Sequence, residues 1–502
     1  MAKALSAFVL LGVALGALAS QSKSAPLAEP AAANFVNATL GGVAYTNKGM
    51  VGFGLMPSNF TDSTGDTFGG VGSAIALKRG TWKQLSNGSF TGTLFVQPDR
   101  GYNVITTVDY RARHHEINFV LSPYYNTTNL TFAAAQSTLA VHYAKTILHY
   151  DRWNGNTSGL DALGVRPAVL GFPNKYLPLS DPPLPIANAT YTHLTIDAEG
   201  LVEMPDGTLW VSDEYGPYIY RFTANGRLIQ TIQPPAAILP LNVTGGLNFT
   251  SVPNPTTGRA PNQGFEGLAY DQTRSRLYAL LQSATIQDGG AVDTTQQWTR
   301  LLAWDVSNPL ERPPLVGEWV VELPLTKKGK TNAASELHFV SENVFLALSR
   351  DGKGRGDDGS TTSAYKQVDL FSIANATNIA NTAFDSPSTP IAVNGVLNST
   401  ITPATYVSFL SLIDGVQLGR FGLHNGDPDD ATLIDGKFES LALAPCRDPA
   451  FKDDYFLFTV ADNDFQTTQG VSVGVPYNMG VDEDTQFLVF RVTLPGLESI
   501  GI

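Results

Sequence analysis

The feature that most constrains the fold of this chain is a sequence pattern that occurs four times. In each copy a glutamate is followed by an apolar segment of strand length, a turn, a second apolar segment and a polar group. The four glutamates are Glu199, Glu266, Glu336 and Glu439. They are spaced 67, 70 and 103 residues apart (266−199, 336−266 and 439−336). Repeats of this size that consist of strands and turns are typical of β-propeller blades that carry inserted loops. We therefore predict an all-β, propeller-like fold of six or seven blades with loop insertions.

The first copy, residues 197–221, shows most clearly why the pattern predicts strands. Pro205 fixes its own φ and Gly207 tolerates a positive φ, so the sequence around them favours a tight turn. Short apolar runs flank this turn, as expected for a β-hairpin. A polar group follows the second run in every copy, and its four versions are Asp213-Glu214, Gln282-Ser283, Arg350-Asp351 and Asp462-Asn463-Asp464.

The rest of the chain divides around these repeats. Residues 1–19 have the pattern of a signal peptide and residues 20–35 the composition of a disordered lead, so we predict one domain over residues 36–502. Residues 69–77 begin with Gly-Gly-Val-Gly-Ser in place of the glutamate, which indicates a degenerate blade. We expect the apolar run at residues 486–492 to close the ring by pairing with the blade at the other end of the chain.

Two stretches depart from this regular pattern. Residues 376–400 are polar and rich in Asn, Thr, Ser and Pro, which indicates an insertion before the last glutamate repeat. Residues 132–148 could form either a helix or a strand by their apolar spacing, and we favour strands throughout residues 111–150.

The amino-terminal segment predicts a secreted protein. Lys3 supplies a positive charge, residues 7–18 are apolar, and Ala17-Leu18-Ala19 offers a small-residue cleavage site. The apolar run is short for a bilayer span, and no other stretch of the sequence is long and apolar enough to be one. We therefore expect an extracellular protein with no membrane span once the signal peptide is removed.

Glycosylation sequons agree with secretion. Asn-x-Ser/Thr occurs at Asn37, Asn59, Asn87, Asn126, Asn129, Asn156, Asn188, Asn242, Asn248, Asn375 and Asn398. We predict a glycoprotein with these loops at the surface. The single cysteine, Cys446, excludes an intrachain disulfide and has the character of a buried structural thiol.

The charge balance bears on partners. The net charge is −13, and the sequence has no basic stripe that could contact phosphates of a nucleic acid. Nucleic acid is therefore not a predicted partner, and we expect a monomer.

Four motifs, in their order along the chain, resemble a known family. They are Asp-Ala-Glu-Gly-Leu-Val, Gly-Phe-Glu-Gly-Leu-Ala, Leu-Ser-Arg-Asp-Gly and Phe-Glu-Ser-Leu-Ala. Together they resemble the phytase-like domain family, also called "esterase-like activity of phytase", over about residues 65–495. The resemblance implies hydrolysis of a phosphoester or related ester, with a small-molecule anionic ester as substrate. The degenerate repeat at residues 69–77 departs from the pattern, because its Gly-Gly-Val-Gly-Ser segment carries no acidic residue.

The repeated glutamates also suggest a metal site. In a propeller the first strand of each blade lines the central channel, so carboxylates from several blades would face one axis, and they repel each other unless a cation lies between them. Oxygen ligands suit a hard cation, so we predict Ca²⁺, with Mg²⁺ or Mn²⁺ as alternatives. The predicted ligands are Glu199, Glu266, Glu336 and Glu439, with Asp213, Asp462 and Asp464 as further ligands or supporting residues. Alternatively, each glutamate packs the blades by accepting hydrogen bonds from backbone N–H groups of its neighbour.

For a hydrolase, three residues have predicted catalytic roles. Glu266 is the expected general base, Arg350 the clamp for an anionic oxygen, and His338 the proton donor. His338 also has a simpler interpretation as a packed strand histidine.

Two other functions fit the same pattern. A metal-dependent sugar-lactone hydrolase also places glutamates in a propeller channel. A non-enzymatic extracellular binding propeller would use calcium for stability alone.

Overall fold

The computed structural model describes residues 29–31, 35–102, 106–169, 180–253, 255–356 and 359–498. The predicted signal peptide and most of the predicted lead lie outside the described residues. Within them, strands and loops dominate, and the two α-helices are short: Phe132–Ala135 and Gly415–Arg420. The described residues also contain three 3₁₀ turns: Gln136–Thr138, Ile286–Asp288 and Ala383–Asp385.

Six sheets in the described part of the chain contain four or more strands. We number five of them by the position in the sequence of the strand that each description below names first. Sheet 1 contains Ala74–Leu77, Phe90–Gln97, Arg113–Leu121 and Leu139–Leu148, with Lys83–Gln84 beside its second strand. Sheet 2 contains Ala198–Glu203, Leu209–Asp213, Ile219–Phe222 and Leu228–Ile232. Sheet 3 contains Phe265–Asp271, Arg276–Leu281, Trp298–Asp305 and Leu315–Glu322. Sheet 4 contains Ala334–Ser341, Val344–Arg350, Lys366–Ser372 and Thr405–Ser411.

Sheet 5 joins the two ends of the chain. Its spatial order begins with the short strands Lys437–Phe438 and Ala442–Pro445, which both pair with the next strand, and continues with Asp454–Asp462, Thr485–Thr493, Val43–Met56 and Val36–Leu40. The strand Thr485–Thr493 pairs antiparallel with Val43–Met56 near the amino terminus. The prediction that residues 486–492 close the ring is therefore confirmed.

The sixth sheet, which we call the small sheet, lies between sheets 1 and 2 in the sequence. Its strands, in spatial order, are Thr157–Ser158, Leu194–Thr195, Leu184–Ile186 and Gly164–Arg166. Two hairpins stand apart from the six sheets: Ala392–Val393 with Val396–Leu397, and Gly470–Ser472 with Val475–Tyr477. The first hairpin falls within residues 376–400, between the last two strands of sheet 4, where the sequence predicts an insertion.

The first strands of sheets 1 to 5 surround a common channel. One cavity of about 100 Å³, which we call the apolar cavity, is lined by residues from all five strands, including Ile75, Leu201, Leu268, Leu337 and Ala442, and by Leu441 just before the fifth strand. The small sheet contributes no residue to this cavity. The prediction of an all-β, propeller-like fold is confirmed, and five of the six sheets place a strand at the channel.

Glycine allows two of the channel strands to approach closely. A Cβ on Gly200 would lie 2.5 Å from Cβ of Leu268, and a Cβ on Gly267 would lie 2.5 Å from Cβ of Leu337. Cβ atoms do not pack at such distances, so the Glu-Gly sequence in sheets 2 and 3 is required by the contact with the next blade.

The sequon asparagines lie at the surface. Nine of them are exposed, and Asn188 and Asn248 are half-buried. Their glycosylation remains a prediction.

Candidate functional site

A β-bulge in the first strand of four sheets sets the direction of the repeated glutamates. In sheet 3 the pairing steps from Phe265 with Leu281 to Gly267 with Leu280, so that Glu266 is an extra residue in the strand. A bulge of this kind leaves the extra residue unpaired and redirects its side chain. Sheets 2, 4 and 5 have the same one-residue irregularity at the corresponding place.

The bulge in sheet 4 is shifted with respect to its glutamate. Pairing there steps from Ala334 with Ser349 to Glu336 with Leu348, so the extra residue is Ser335. The glutamates of the other three sheets stand two residues before the leucine that lines the apolar cavity, whereas Glu336 directly precedes Leu337. Ser335 therefore occupies the place of the other glutamates.

This shift gives Glu336 a different environment from the other three glutamates. Its carboxylate accepts hydrogen bonds from the backbone N–H groups of Leu268, at 3.3 Å, and Leu337, at 2.7 Å. Burial raises the pKa of Glu336 well above its usual value. The predicted proton donor His338 also lines the apolar cavity, and its Nδ1 lies 2.8 Å from the carbonyl oxygen of Phe339.

Most of the other predicted site residues meet in a second cavity at one end of the channel strands, which we call the polar pocket. Its volume is about 120 Å³. Its lining is almost wholly polar: Ser73, Asp99, Arg100, Asp197, Glu199, Glu214, Asn262, Glu266, Gln282, Arg350, Lys437, Glu439 and Asp462. The structure thus brings together Glu199, Glu266, Glu439, Asp462 and Arg350, and it does not bring Glu336 or His338 to this pocket.

Three buried acidic residues form the first cluster of the polar pocket. Asp197, Glu199 and Glu214 each offer a carboxylate oxygen, and these oxygens lie within 4.8 Å of one another. Burial, followed by repulsion from Glu266 and Glu214, raises the pKa of Glu199 well above its usual value. Burial and the charge of Asp197 raise the pKa of Glu214 to about 8. We call Asp197, Glu199 and Glu214 the first acidic trio.

Glu266 lies against this trio and is incompletely paired. Its Oε1 accepts a hydrogen bond from Nε2 of Gln282. Its Oε2 and the Oε1 of Glu214 are buried without an N–H donor among the described residues, and the two carboxyl groups lie close enough to share a hydrogen bond when one of them is protonated. Burial and the charge of Glu214 raise the pKa of Glu266 well above its usual value. Two carboxylates in this position need a proton or a cation between them.

A second acidic cluster reaches the same pocket through Asp99 and Asp462. Oxygens of Asp99, Asp462 and Asp464 also lie within 4.8 Å of one another. Here a cation is already present, because Nζ of Lys437 lies 2.8 Å from Asp462 and 2.7 Å from Asp464. Lys437 also lies 3.8 Å from Glu439. We call Asp99, Asp462 and Asp464 the second acidic trio.

Asp213 supports the first acidic trio without lining the pocket. Its Oδ1 accepts hydrogen bonds from the backbone N–H groups of Asp197, at 2.9 Å, and Tyr215, at 3.2 Å. Its Oδ2 accepts from the N–H of Gly216 at 2.8 Å and the hydroxyl of Tyr220 at 3.2 Å. Both oxygens are therefore engaged in holding the loop that carries Glu214.

Two arginines bring positive charge to the pocket. Arg350 donates a hydrogen bond to Glu439 through Nη2. Arg100 forms an ion pair with Asp197, with Nη1 at 3.2 Å from Oδ2. Each of these arginines also has a buried Nε without a hydrogen-bond acceptor among the described residues. Both have N–H groups left for an anionic oxygen.

Comparison with known proteins identifies the family. Residues 80–465 match the Phytase-like family, described as "Esterase-like activity of phytase". The chain belongs to the phytase-like family. An uncharacterized secreted protein of Arthroderma benhamiae is 35% identical over 468 residues, which cover 86% of this chain and 90% of that protein. The chain is a secreted protein, as its amino-terminal segment predicts.

Similarity of this phytase-like chain to solved structures is low. A luciferin-regenerating enzyme shares 10% identity, with 86% of this chain and 95% of that chain covered and a TM-score of 0.28. The PQQ-bound aldose sugar dehydrogenase of Streptomyces coelicolor shares 13%, with 92% and 100% covered and a TM-score of 0.27. The allergen Mala s 1 of Malassezia sympodialis shares 10%, with 90% and 88% covered and a TM-score of 0.30. These likenesses carry no argument about function. Among the described residues, none of the helices has the length and apolar character that a bilayer crossing requires.

Eight residues that line the polar pocket of this phytase-like chain were not predicted as site residues from the sequence: Ser73, Asp99, Arg100, Asp197, Glu214, Asn262, Gln282 and Lys437. A signal for Asp99 and Arg100 was present, because they come just after the second strand of sheet 1, as Glu214 comes just after that of sheet 2. Lys437 gave a weaker signal, since it stands two residues before the last repeated glutamate.

Proposed function

We propose that this phytase-like protein is a metal-dependent hydrolase of a phosphoester or related ester, and that its active site is the polar pocket. The observation that carries the proposal is the first acidic trio. Three buried carboxylates with oxygens within 4.8 Å of one another stand beside the unpaired oxygen of Glu266. Buried carboxylates this close are stable when ionised only if a cation shares their charge.

The donor set fits a hard divalent cation. Asp197, Glu199 and Glu214 would hold it through carboxylate oxygens, which Ca²⁺ prefers and which Mg²⁺ and Mn²⁺ also accept. The unpaired oxygens of Glu214 and Glu266 are consistent with such a group. Bound there, the cation would polarise an ester or phosphoryl oxygen and acidify a water molecule.

Substrate recognition would come from the positive residues of the same pocket. Seven of the lining residues are acidic, and an anionic ester needs local positive charge to approach them. Arg100 and Arg350 have unpaired Nε groups that can donate to an anionic oxygen. The volume of about 120 Å³ accommodates a cation and a single ester group, while the remainder of a substrate would extend outside.

Glu266 is the proposed general base. It lies in the pocket, and Gln282 holds its Oε1 through a hydrogen bond. No N–H group among the described residues donates to its Oε2. A carboxylate that is held in place and has a free oxygen can accept a proton from an attacking water molecule. The proposal gives His338 no role, because His338 lines the apolar cavity.

Two variants of the same residue type test the proposal. Purified secreted protein is assayed on a bis-aryl phosphate diester, a phosphate monoester, an aryl ester and a sugar lactone, with Ca²⁺ or with chelator. Glu199→Gln removes a carboxylate of the first acidic trio. Glu203→Gln is the matched control, because Glu203 ends the same strand and lines the apolar cavity. We expect metal-dependent ester turnover in the wild type and Glu203→Gln, and its loss in Glu199→Gln.

Other outcomes would change the assignment. Turnover of the lactone alone would replace the phosphoester by a sugar lactone. Absence of turnover on all four substrates, with a melting temperature that falls under chelator, would leave a calcium-stabilised binding propeller. Turnover that is unaffected by chelator and by Glu199→Gln would reject the proposed metal centre.

A further inference from the structure

We propose that Lys437 is a built-in cation that occupies what would otherwise be a second divalent-metal site in the polar pocket. In both acidic trios the carboxylate oxygens lie within 4.8 Å of one another, and the polar pocket is lined by all of the first trio and by Asp99 and Asp462 of the second. They differ in how their charge is balanced. The ammonium group of Lys437 contacts two of the three carboxylates of the second trio.

The contacts of Lys437 resemble those of a bound ion more than those of a surface ion pair. Its Nζ lies 2.8 Å from Asp462, 2.7 Å from Asp464 and 3.8 Å from Glu439, so three carboxylates surround it. Asp462 ends a strand of sheet 5, Asp464 lies in the loop after that strand, and Glu439 follows the strand of Lys437. Asp462 is 1% exposed, and the side chain of Lys437 is 26% exposed. A compact ammonium is the protein group that best replaces a cation among oxygens.

Among the residues that the structure describes, no lysine ammonium group forms an ion pair with the first acidic trio. Arg100 forms an ion pair with Asp197 alone, and one oxygen of Glu214 has no described donor. One protein cation and one place for a divalent ion therefore stand in the same pocket. Two-metal hydrolases stabilise charge on two oxygens of the reacting group with two ions. Here Lys437 would supply the second positive charge. That role in the reaction rests on the proposed function, whereas the placement of Lys437 in the second acidic trio does not depend on it.

The inference predicts that removal of the ammonium group opens a metal site. Lys437→Met retains the apolar stem and removes the charge. Bound calcium is measured by equilibrium dialysis at about 1 mM Ca²⁺, the upper end of the range for extracellular calcium modules, and by native mass spectrometry. We expect Lys437→Met to bind one more Ca²⁺ per chain than the wild type. Lys437→Arg, which keeps a cation, and Lys452→Met, which changes an exposed lysine, should bind the wild-type number.

A double variant locates the additional ion. Lys437→Met combined with Asp464→Asn should return to the wild-type number, because one carboxylate of the second trio is then neutral. If Lys437→Met folds only when Ca²⁺ is present, the inference is also supported. If Lys437→Met does not fold with or without Ca²⁺, Lys437→Gln is used in its place, because glutamine keeps hydrogen-bond donors. We expect the same gain of one bound Ca²⁺ for Lys437→Gln.

The result that overturns the inference is a folded, uncharged variant that binds no additional Ca²⁺, or one whose additional ion survives Asp464→Asn. The wild-type count is a separate readout. A wild type without bound Ca²⁺ contradicts the proposed metal centre, while a gain of one ion in the variant still supports the role of Lys437.

Discussion

Glu336 accepts a hydrogen bond from the backbone N–H of Leu268, which belongs to the neighbouring sheet. One of the four repeated glutamates thus joins two blades, as the alternative interpretation of the repeat describes. Glu199, Glu266 and Glu439 instead line the polar pocket. A single sequence pattern therefore serves two physical purposes in this chain.

Because Glu336 joins two blades and Glu266 lines the polar pocket, we predict that a change of Glu336 lowers stability and a change of Glu266 lowers activity. Glu336→Ala leaves buried N–H groups without an acceptor, which costs about 1–3 kcal/mol of unfolding free energy. We expect a lower urea midpoint for Glu336→Ala with turnover per folded molecule unchanged. Glu266→Gln should show the reverse, with a midpoint near that of the wild type and turnover lost. Equal loss of activity in both variants would contradict this division.

Cation binding should stabilise the fold through the first acidic trio. A ligand that binds the native state alone contributes about 2.7 kcal/mol at a concentration one hundred times its Kd. We expect Ca²⁺ to raise the melting temperature of the wild type and of Glu203→Gln, and chelator to reverse the rise. In Glu199→Gln the melting temperature should not respond to Ca²⁺. A response that persists in Glu199→Gln would place the stabilising ion elsewhere.

The contact between sheets 3 and 4 makes Gly267 intolerant of a side chain. Its added Cβ would lie 2.5 Å from both the backbone nitrogen and the Cβ of Leu337. Because backbone must move to relieve such a contact, Gly267→Ala should cost about 1–3 kcal/mol, measured by urea denaturation. Gly415→Ala is the matched control, since nothing lies within 4 Å of its added Cβ. A stability of Gly267→Ala close to that of Gly415→Ala would disagree with the packing described.

A buried histidine pair predicts acid sensitivity. Nδ1 of His114 lies 2.9 Å from Nε2 of His149, a hydrogen bond that two neutral rings can form. Burial lowers the pKa of His114 to about 3 and that of His149 well below its usual value. The unfolded chain takes up protons below a pH of about 6.5 while the native pair does not, so stability is complete above that pH and falls as the pH drops toward about 3.

The measurement is the unfolding free energy between about pH 7 and pH 4, a window that lies mostly between the unfolded histidine pKa of about 6.5 and the native pKa of His114, about 3. Each histidine contributes a slope of up to about 1.4 kcal/mol per pH unit. His149→Phe, which retains the packing on Phe222, should have a smaller slope than the wild type. The exposed His142→Phe should keep the wild-type slope. Identical slopes in all three proteins would rule out the pair as a source of acid sensitivity.

The repeated pattern was sufficient to predict the fold class and much of the site. Short apolar segments separated by turns favour a set of antiparallel sheets, and a strand at the end of the chain needs a partner. For this reason the closure by Thr485–Thr493 and the degenerate blade at Ala74–Leu77 were predictable. The position of Glu199, Glu266 and Glu439 at one pocket followed from the same regularity.

Other features were decided by tertiary structure. The sequence shows Glu336 as a fourth equivalent glutamate, but a one-residue shift relative to the bulge turns it toward Leu268, and bulge placement depends on pairing with the next strand. Lys437 is one charged residue among many in the sequence, and it becomes the cation of the second acidic trio because strand pairing in sheet 5 places it beside Asp462 and Asp464. The fold then adds Asp99 to this trio from the loop after the second strand of sheet 1. The order of apolar and polar residues along one strand determines which elements form. Contacts between residues hundreds of positions apart decide which charges meet.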